Sequence, residues 1–256
     1  MAGALAKKST IMRSNSEPSE EPIVIAGRPT SICWRRSARA RRVALKIDPQ
    51  AGAIIITLPP RGSRRAGLAL LRGHEAWVAA RLAALPAVMS ITAGGTIPIF
   101  GEPHTIVHDP THRGGAVVAD AKILVAGQLE FLARRVSDAL QSIALKQFSS
   151  LAQDKAIKIN THPHRIRIKD TKTRWGSCTA DGTLMFSWRL IMAPPFVQDY
   201  VIAHEVAHLR YMNHSPDFWT LLNRLTPHRT AATSWLNLQG PGLLRIACSQ
   251  RTKAPS

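Results

Sequence analysis

The pentapeptide His204-Glu205-Val206-Ala207-His208 restricts this chain more than any other stretch of it. Two histidines four residues apart stand about 40° apart around an α-helix and one turn apart along it, so both imidazoles reach one metal ion from the same face. The segment is therefore expected to be helical. Glu205 projects to the side, where a carboxylate takes a proton from metal-bound water, which is the chemistry of an H-E-x-x-H helix. Pro194-Pro195 stops the preceding element and opens the helix, because proline suits the first helical turn. The spacing predicts a helix from Phe196 to Met212.

A catalytic zinc takes three protein ligands and keeps a fourth position open. No glutamate follows Glu205, which excludes the class that recruits a Glu from a later helix. His214, Asp217 and His228 remain. On an unbroken helix His214 would lie about 15 Å along the axis from His204, too far to share an ion. Asn213 as a left-handed C-cap, then Ser215-Pro216 as N-cap and first helical residue, end the helix and set His214 in an elbow. That geometry favours His214 as third ligand, with Asp217 and His228 as the alternatives. The H-E-x-x-H-x5-H spacing equals that of metzincins, but Tyr211 stands where those enzymes have a turn glycine.

A chain of 256 residues can bury a core without disulfide staples. Cys33, Cys178 and Cys248 form no C-x-x-C pair, which argues against a disulfide framework or a Cys-based zinc site, and a reducing compartment fits. With no secretory signal at the start, and with Pro86, Gly94, Gly95 and Pro98 breaking the longest uncharged stretch, a cytoplasmic protein without a membrane partner is expected. The net charge of +18 and pI near 11.1 favour anionic partners such as nucleic acid or another polyanion. The densest basic run, residues 35–42, reads as a solvated strand or a polyanion contact; only Trp34 accompanies it, which is sparse for base stacking.

Residues 1–35 read as a disordered N-terminal tail, since their polar composition offsets little ordering entropy. Residues 36–125 read as a β-rich region with one helix: a hairpin over 43–48 and 52–58, a helix over 64–85, and strands at 97–100 and 105–108. Residues 126–240 form the catalytic region. It holds a helix over 129–156 interrupted near Ser149-Ser150, a strand at 165–169, and a hairpin of 171–178 and 183–190 about Asp181-Gly182. Residues 241–256 read as a C-terminal tail.

Thr173-Arg174-Trp175-Gly176-Ser177-Cys178, Trp188-Arg189-Leu190, Ala193-Pro194, Tyr200-Val201, the H-E-x-x-H core, Asn213-His214-Ser215 and Phe218-Trp219 together resemble the YgjP-like metal-dependent hydrolases. These are minimal zincins related to SprT-like proteins, and the resemblance runs over roughly residues 35–225. It implies an α+β fold: a minimal zincin-like metallopeptidase domain, its HExxH helix beside a small antiparallel sheet, preceded by a small β-rich region. It also implies His204, His208 and His214 as zinc ligands and Glu205 as catalytic base. The expected function is then a zinc-dependent hydrolase, a metallopeptidase working through Glu205-activated zinc-bound water. Two alternatives stand beside it: a metal-dependent nucleoside triphosphate pyrophosphohydrolase at the same site, and a nucleic-acid-associated binding protein with structural zinc.

Around this core, Gly176 reads as a turn residue needing unusual backbone angles, and Trp175, Trp188, Phe218 and Trp219 read as core. Arg174 and Ser177 are candidate substrate contacts on a strand beside the cleft. Arg174 and Tyr211 are candidates for stabilising an oxyanion. Cys178 is not needed as a ligand.

Overall fold

The structure is a computed structural model that describes residues 20–171 and 174–247. Its contacts divide the chain into two units, Met1–Ile47 with Gly52–Ala83 and Asp48–Ala51 with Ala84–Ser256.

In the first unit, β1 (Glu20–Ile25), β2 (Arg28–Arg36), β3 (Ala44–Asp48) and β4 (Ala53–Leu58) form a sheet in the order β1-β2-β4-β3. Ala26 and Gly27 both take positive φ, the combination a two-residue hairpin turn requires, and β1 folds back on β2 there. Residues 20–35 were expected in a tail, yet they supply two strands, because Ile25, Ile32 and Trp34 are buried on the sheet. Residues 1–19 lie outside the described residues. The 64–85 segment forms two helices rather than one, α1 (Arg64–Gly73) and α2 (Glu75–Ala83). The break falls at Gly73-His74, where His74 caps α1 and its Nδ1 donates to the Leu70 carbonyl at 3.0 Å. Gly67 lets α1 approach the sheet, since a Cβ there would stand 2.7 Å from the Trp34 ring.

The second unit begins with β5 (Met89–Ser90) and a sheet of β6 (Thr96–Ile99), β7 (Glu102–His108), β8 (Ala116–Ala119) and β9 (Lys122–Val125), ordered β6-β7-β9-β8. A 3₁₀ turn over Leu129–Phe131 leads into α3 (Leu132–Ile157). Every fourth residue of α3 is apolar and buried: Leu132, Val136, Leu140, Ala144, Phe148, Ala152 and Ala156. That stripe makes one core-facing side, and no interruption occurs at Ser149-Ser150. Next come β10 (Arg165–Lys169), β11 (Gly176–Cys178) and β12 (Thr183–Ser187), in the order β10-β12-β11. This small sheet is mixed rather than antiparallel: β10 runs parallel to β12, and β11 antiparallel to it. A 3₁₀ turn over Trp188–Met192 precedes α4 (Pro195–Ala207), α5 (Pro216–Leu225) and α6 (Arg229–Leu238). Part of the expected C-terminal tail is ordered, as α7 (Gly240–Leu244) and β13 (Ile246–Ala247), which pairs parallel with β5. The architecture is α+β, and no described helix is long and apolar enough to cross a membrane.

One buried ion pair fixes α4 in this unit. Lys155 Nζ, on α3, lies 2.6 Å from Asp199 Oδ1 on α4 and donates to the Leu225 carbonyl at the end of α5 at 2.9 Å. A helix end leaves its last carbonyls without partners and carries negative charge, so the ammonium satisfies the end of α5 while tying α3, α4 and α5 together. Lys155→Met is expected to destabilise the fold by about 3 kcal/mol, the low end for breaking a buried pair, because Asp199 keeps some contact with water. A denaturant titration reads this as a fall in midpoint; an unchanged midpoint would show that the pair contributes nothing net.

Candidate metal centre

Pro195 opens α4, as its sequence predicts, and buried Gln198 anchors the first turn by donating Nε2 to the carbonyls of Ala193 (2.7 Å) and Ile191 (3.2 Å). Apolar residues on three sides, among them Val197, Ile202, Ala203, Val206 and Ala207, seat the helix in the core. His204 and His208 leave it on the remaining side with ring centroids 4.9 Å apart. The helix ends at Ala207, five residues before the expected Met212. Leu209 and Arg210 donate to Val206 and Ala207 in tightened turns, and Asn213 is not among the residues with positive φ, so no left-handed cap forms there. Ser215 does cap α5, accepting from the Phe218 N–H at 3.3 Å.

The elbow thus made swings His214 back over α4. Its Nε2 lies 3.1 Å from His204 Nε2, and one ligand atom from each of His204, His208 and His214 falls within 4.8 Å of the others. Bonds of about 2.0–2.1 Å to one small cation bring imidazole nitrogens to a separation of this size. His208 Nδ1 faces the Tyr211 carbonyl at 2.9 Å, and a carbonyl only accepts, so Nδ1 carries the proton and Nε2 keeps its lone pair free. Burial, reinforced by the charges of His208, His214 and Arg229, lowers the His204 pKa to about 4 and holds the ring in its neutral, ligating form. The three residues fit a divalent cation in donor type and spacing. Asp217 in the first turn of α5 and His228 at the start of α6 stand outside the cluster.

His214 is exposed, and stacked rings hold it. The Trp219 ring lies against it at 5.4 Å and 25°, and the Arg229 guanidinium sits 3.9 Å above Trp219. Trp219 therefore packs against the core and also walls the site, while Trp188 and Phe218 are fully buried, the latter with its ring against all three histidines. Trp219→Leu is expected to weaken divalent metal binding by about 10- to 100-fold, the usual cost of losing a group that orients a ligand. A chelator competition measures it; parent-level affinity would show that the elbow alone positions His214.

Glu205 is buried at 7% exposure and faces β11. Burial raises its pKa to about 7, against a lowering by the charge of Arg174. A Cβ on Gly176 would stand 2.6 Å from Glu205 Cγ and 2.7 Å from Oε1, so this glycine is required by the carboxylate and not by a turn. Gly176 lies in extended strand, without positive φ. Side chains alternate along a strand, so Cys178 shares the face of Gly176 while the Ser177 side chain points to the opposite one. Burial and the Glu205 charge push the Cys178 thiol up to about 11, away from its ligating form. Trp175 O accepts from Ser187 N–H and Thr179 N–H donates to Thr183 O, so the main-chain groups of Gly176 and Cys178 face the open edge of the sheet.

Sequence reasoning brought His204, Glu205, His208 and His214 together, and Arg174 with them through its charge. It missed Gly176, Trp219 and Arg229 as parts of the site.

A cluster of three histidines, two at the end of a helix and one in the elbow that follows, beside a buried carboxylate in an α+β fold, belongs to the class of metal-dependent hydrolases. Residues 41–239 match the model of the YgjP-like metallopeptidase domain, and the chain belongs to that family. Neither a curated protein nor a solved structure matches it.

Proposed function

We propose that this hydrolase is a zinc metallopeptidase of zincin type, with His204, His208 and His214 holding the ion and Glu205 as general base. The observation that carries the reading is Glu205 itself, a carboxylate kept buried beside the histidine cluster and against the face of the edge strand β11. Zinc bound there supplies a Lewis acid that polarises a carbonyl and acidifies water. The chain's own groups do the rest. Glu205 Oε1 accepts a proton and returns it to the leaving amine, and its burial keeps proton affinity near neutrality. The outward main-chain groups of Gly176 and Cys178 suit an extended peptide added as a further strand, which aligns a scissile bond without selecting a side chain. A purely structural ion would leave the cost of burying Glu205 unexplained.

A second reading, hydrolysis of a phosphoanhydride such as that of a nucleoside triphosphate, draws support from Arg174 and Arg229, whose charges act on Glu205 and His204. Incubating zinc-loaded protein with casein and, separately, with nucleoside triphosphates separates the two. Elemental analysis is expected to give about one zinc per chain, with sharp loss in each of His204→Ala, His208→Ala and His214→Ala. Full occupancy in His214→Ala would move the third-ligand role to Asp217 or His228.

A further inference from the structure

The first unit is charged out of proportion to its size. Between residues 20–47 and 52–83 it carries twelve Arg and Lys against three Glu. Arg36 is engaged, donating to the carbonyls of Pro59, Pro60 and Gly62. Among the described residues Arg35, Arg39, Arg41, Arg42, Arg61, Arg65, Arg72 and Arg81 form no ion pair. Trp34, the aromatic inside the basic run, is buried, with its Nε1 donating to Glu21 at 2.8 Å, and is not available to a partner.

The fold supplies a different aromatic. A groove of about 490 Å³ opens between the start of β3 and the α1–α2 junction, with Val43, Leu45, Leu70 and Trp77 as its apolar walls and Arg42 and His74 beside them. Trp77 is 51% exposed, while Val78 next to it is fully buried and anchors the helix. His74 Nδ1 is committed to the Leu70 carbonyl. β3 is the outer strand of its sheet.

We propose that this groove binds a single-stranded polynucleotide, with bases against Trp77 and the phosphate backbone along Arg39, Arg41 and Arg42. The separation of chemistries carries the choice. The groove is apolar and holds one guanidinium, whereas the unpaired arginines lie mostly outside it, which suits a partner with flat apolar bases on one side and regular negative charge on the other. A duplex hides its bases and would leave the groove empty. A bilayer needs apolar side chains that protrude, and here they line a concavity. The +18 charge of the whole chain draws any polyanion, so affinity alone does not identify the partner.

The test is fluorescence anisotropy on the full-length protein with labelled oligo-dT and oligo-U, the matching duplex, and poly-glutamate as competitor, across a salt series. Single strands are expected to bind more tightly than the duplex and to resist poly-glutamate. Replacing Arg39, Arg41 and Arg42 with Gln is expected to flatten the slope of log affinity against log salt by about 2, from roughly 0.7 per lost phosphate contact. Trp77→Ala is expected to weaken binding about tenfold at every salt concentration, and Trp77→Phe to retain most of it. Unchanged affinity in Trp77→Ala, equal binding of the duplex, or displacement by poly-glutamate would overturn the proposal, the last by making the groove an acidic-peptide site. Should Trp77→Ala not fold, the Phe variant and the arginine triple variant decide by the same readouts.

Discussion

Glu205→Gln is expected to hold its zinc at the parent level and to lose at least about a hundredfold in turnover, the scale on which a positioned general base contributes. Glutamine matches glutamate in shape, so it meets the same close approach of Gly176 and fills the same buried site. It removes only the capacity to accept a proton. The cluster that could hold the ion makes no use of the carboxylate, since its donor atoms are those of His204, His208 and His214. The variant should also be no less stable than the parent, because a neutral amide is cheaper to bury than a carboxylate. Elemental analysis, turnover and a denaturation midpoint on one preparation separate these effects. Turnover near the parent's would remove Glu205 from the mechanism, and lost zinc would make it part of the metal site instead.

Features set by local chemistry were legible in the sequence. The four-residue spacing of His204 and His208 required a helix, Pro194-Pro195 set its start, and Ser215-Pro216 set the start of the next, all of which are decided within a turn or two of chain. The end of α4 was misplaced because apolar periodicity continues through Leu209 and Met212, while the backbone leaves the helix under the pull of the elbow. The Glu20–Ile25 and Arg28–Arg36 strands were hidden by polar neighbours, and their burial depends on partners such as Ile54 and Ile56 more than twenty residues away. For the same reason the parallel pairing of β10 with β12 left no local mark. Trp219 looked like core because an aromatic near a helix start usually is, and only the return of His214 and the position of Arg229 make it a wall as well.

Gly176 is the sharpest of these non-local demands, and Gly176→Ala is expected to reproduce most of the loss expected of Glu205→Gln. The added methyl would stand 2.6, 2.7 and 2.9 Å from Cγ, Oε1 and Cδ of Glu205, distances that no Cβ tolerates. The strand itself accepts alanine, since Gly176 has no positive φ, so the strain falls on the glutamate side chain. Glu205 can relieve it by changing rotamer, which costs stability only about 1 kcal/mol but moves the carboxylate from its place. A displacement of about 1 Å in a reacting group is worth on the order of a hundredfold in rate. Zinc content should persist, because the three atoms nearest to that position all belong to Glu205 and none to a histidine. The double variant is the decisive measurement. If Gly176 acts through Glu205, Gly176→Ala combined with Glu205→Gln should be about as slow as Glu205→Gln alone, whereas independent roles would multiply the two losses.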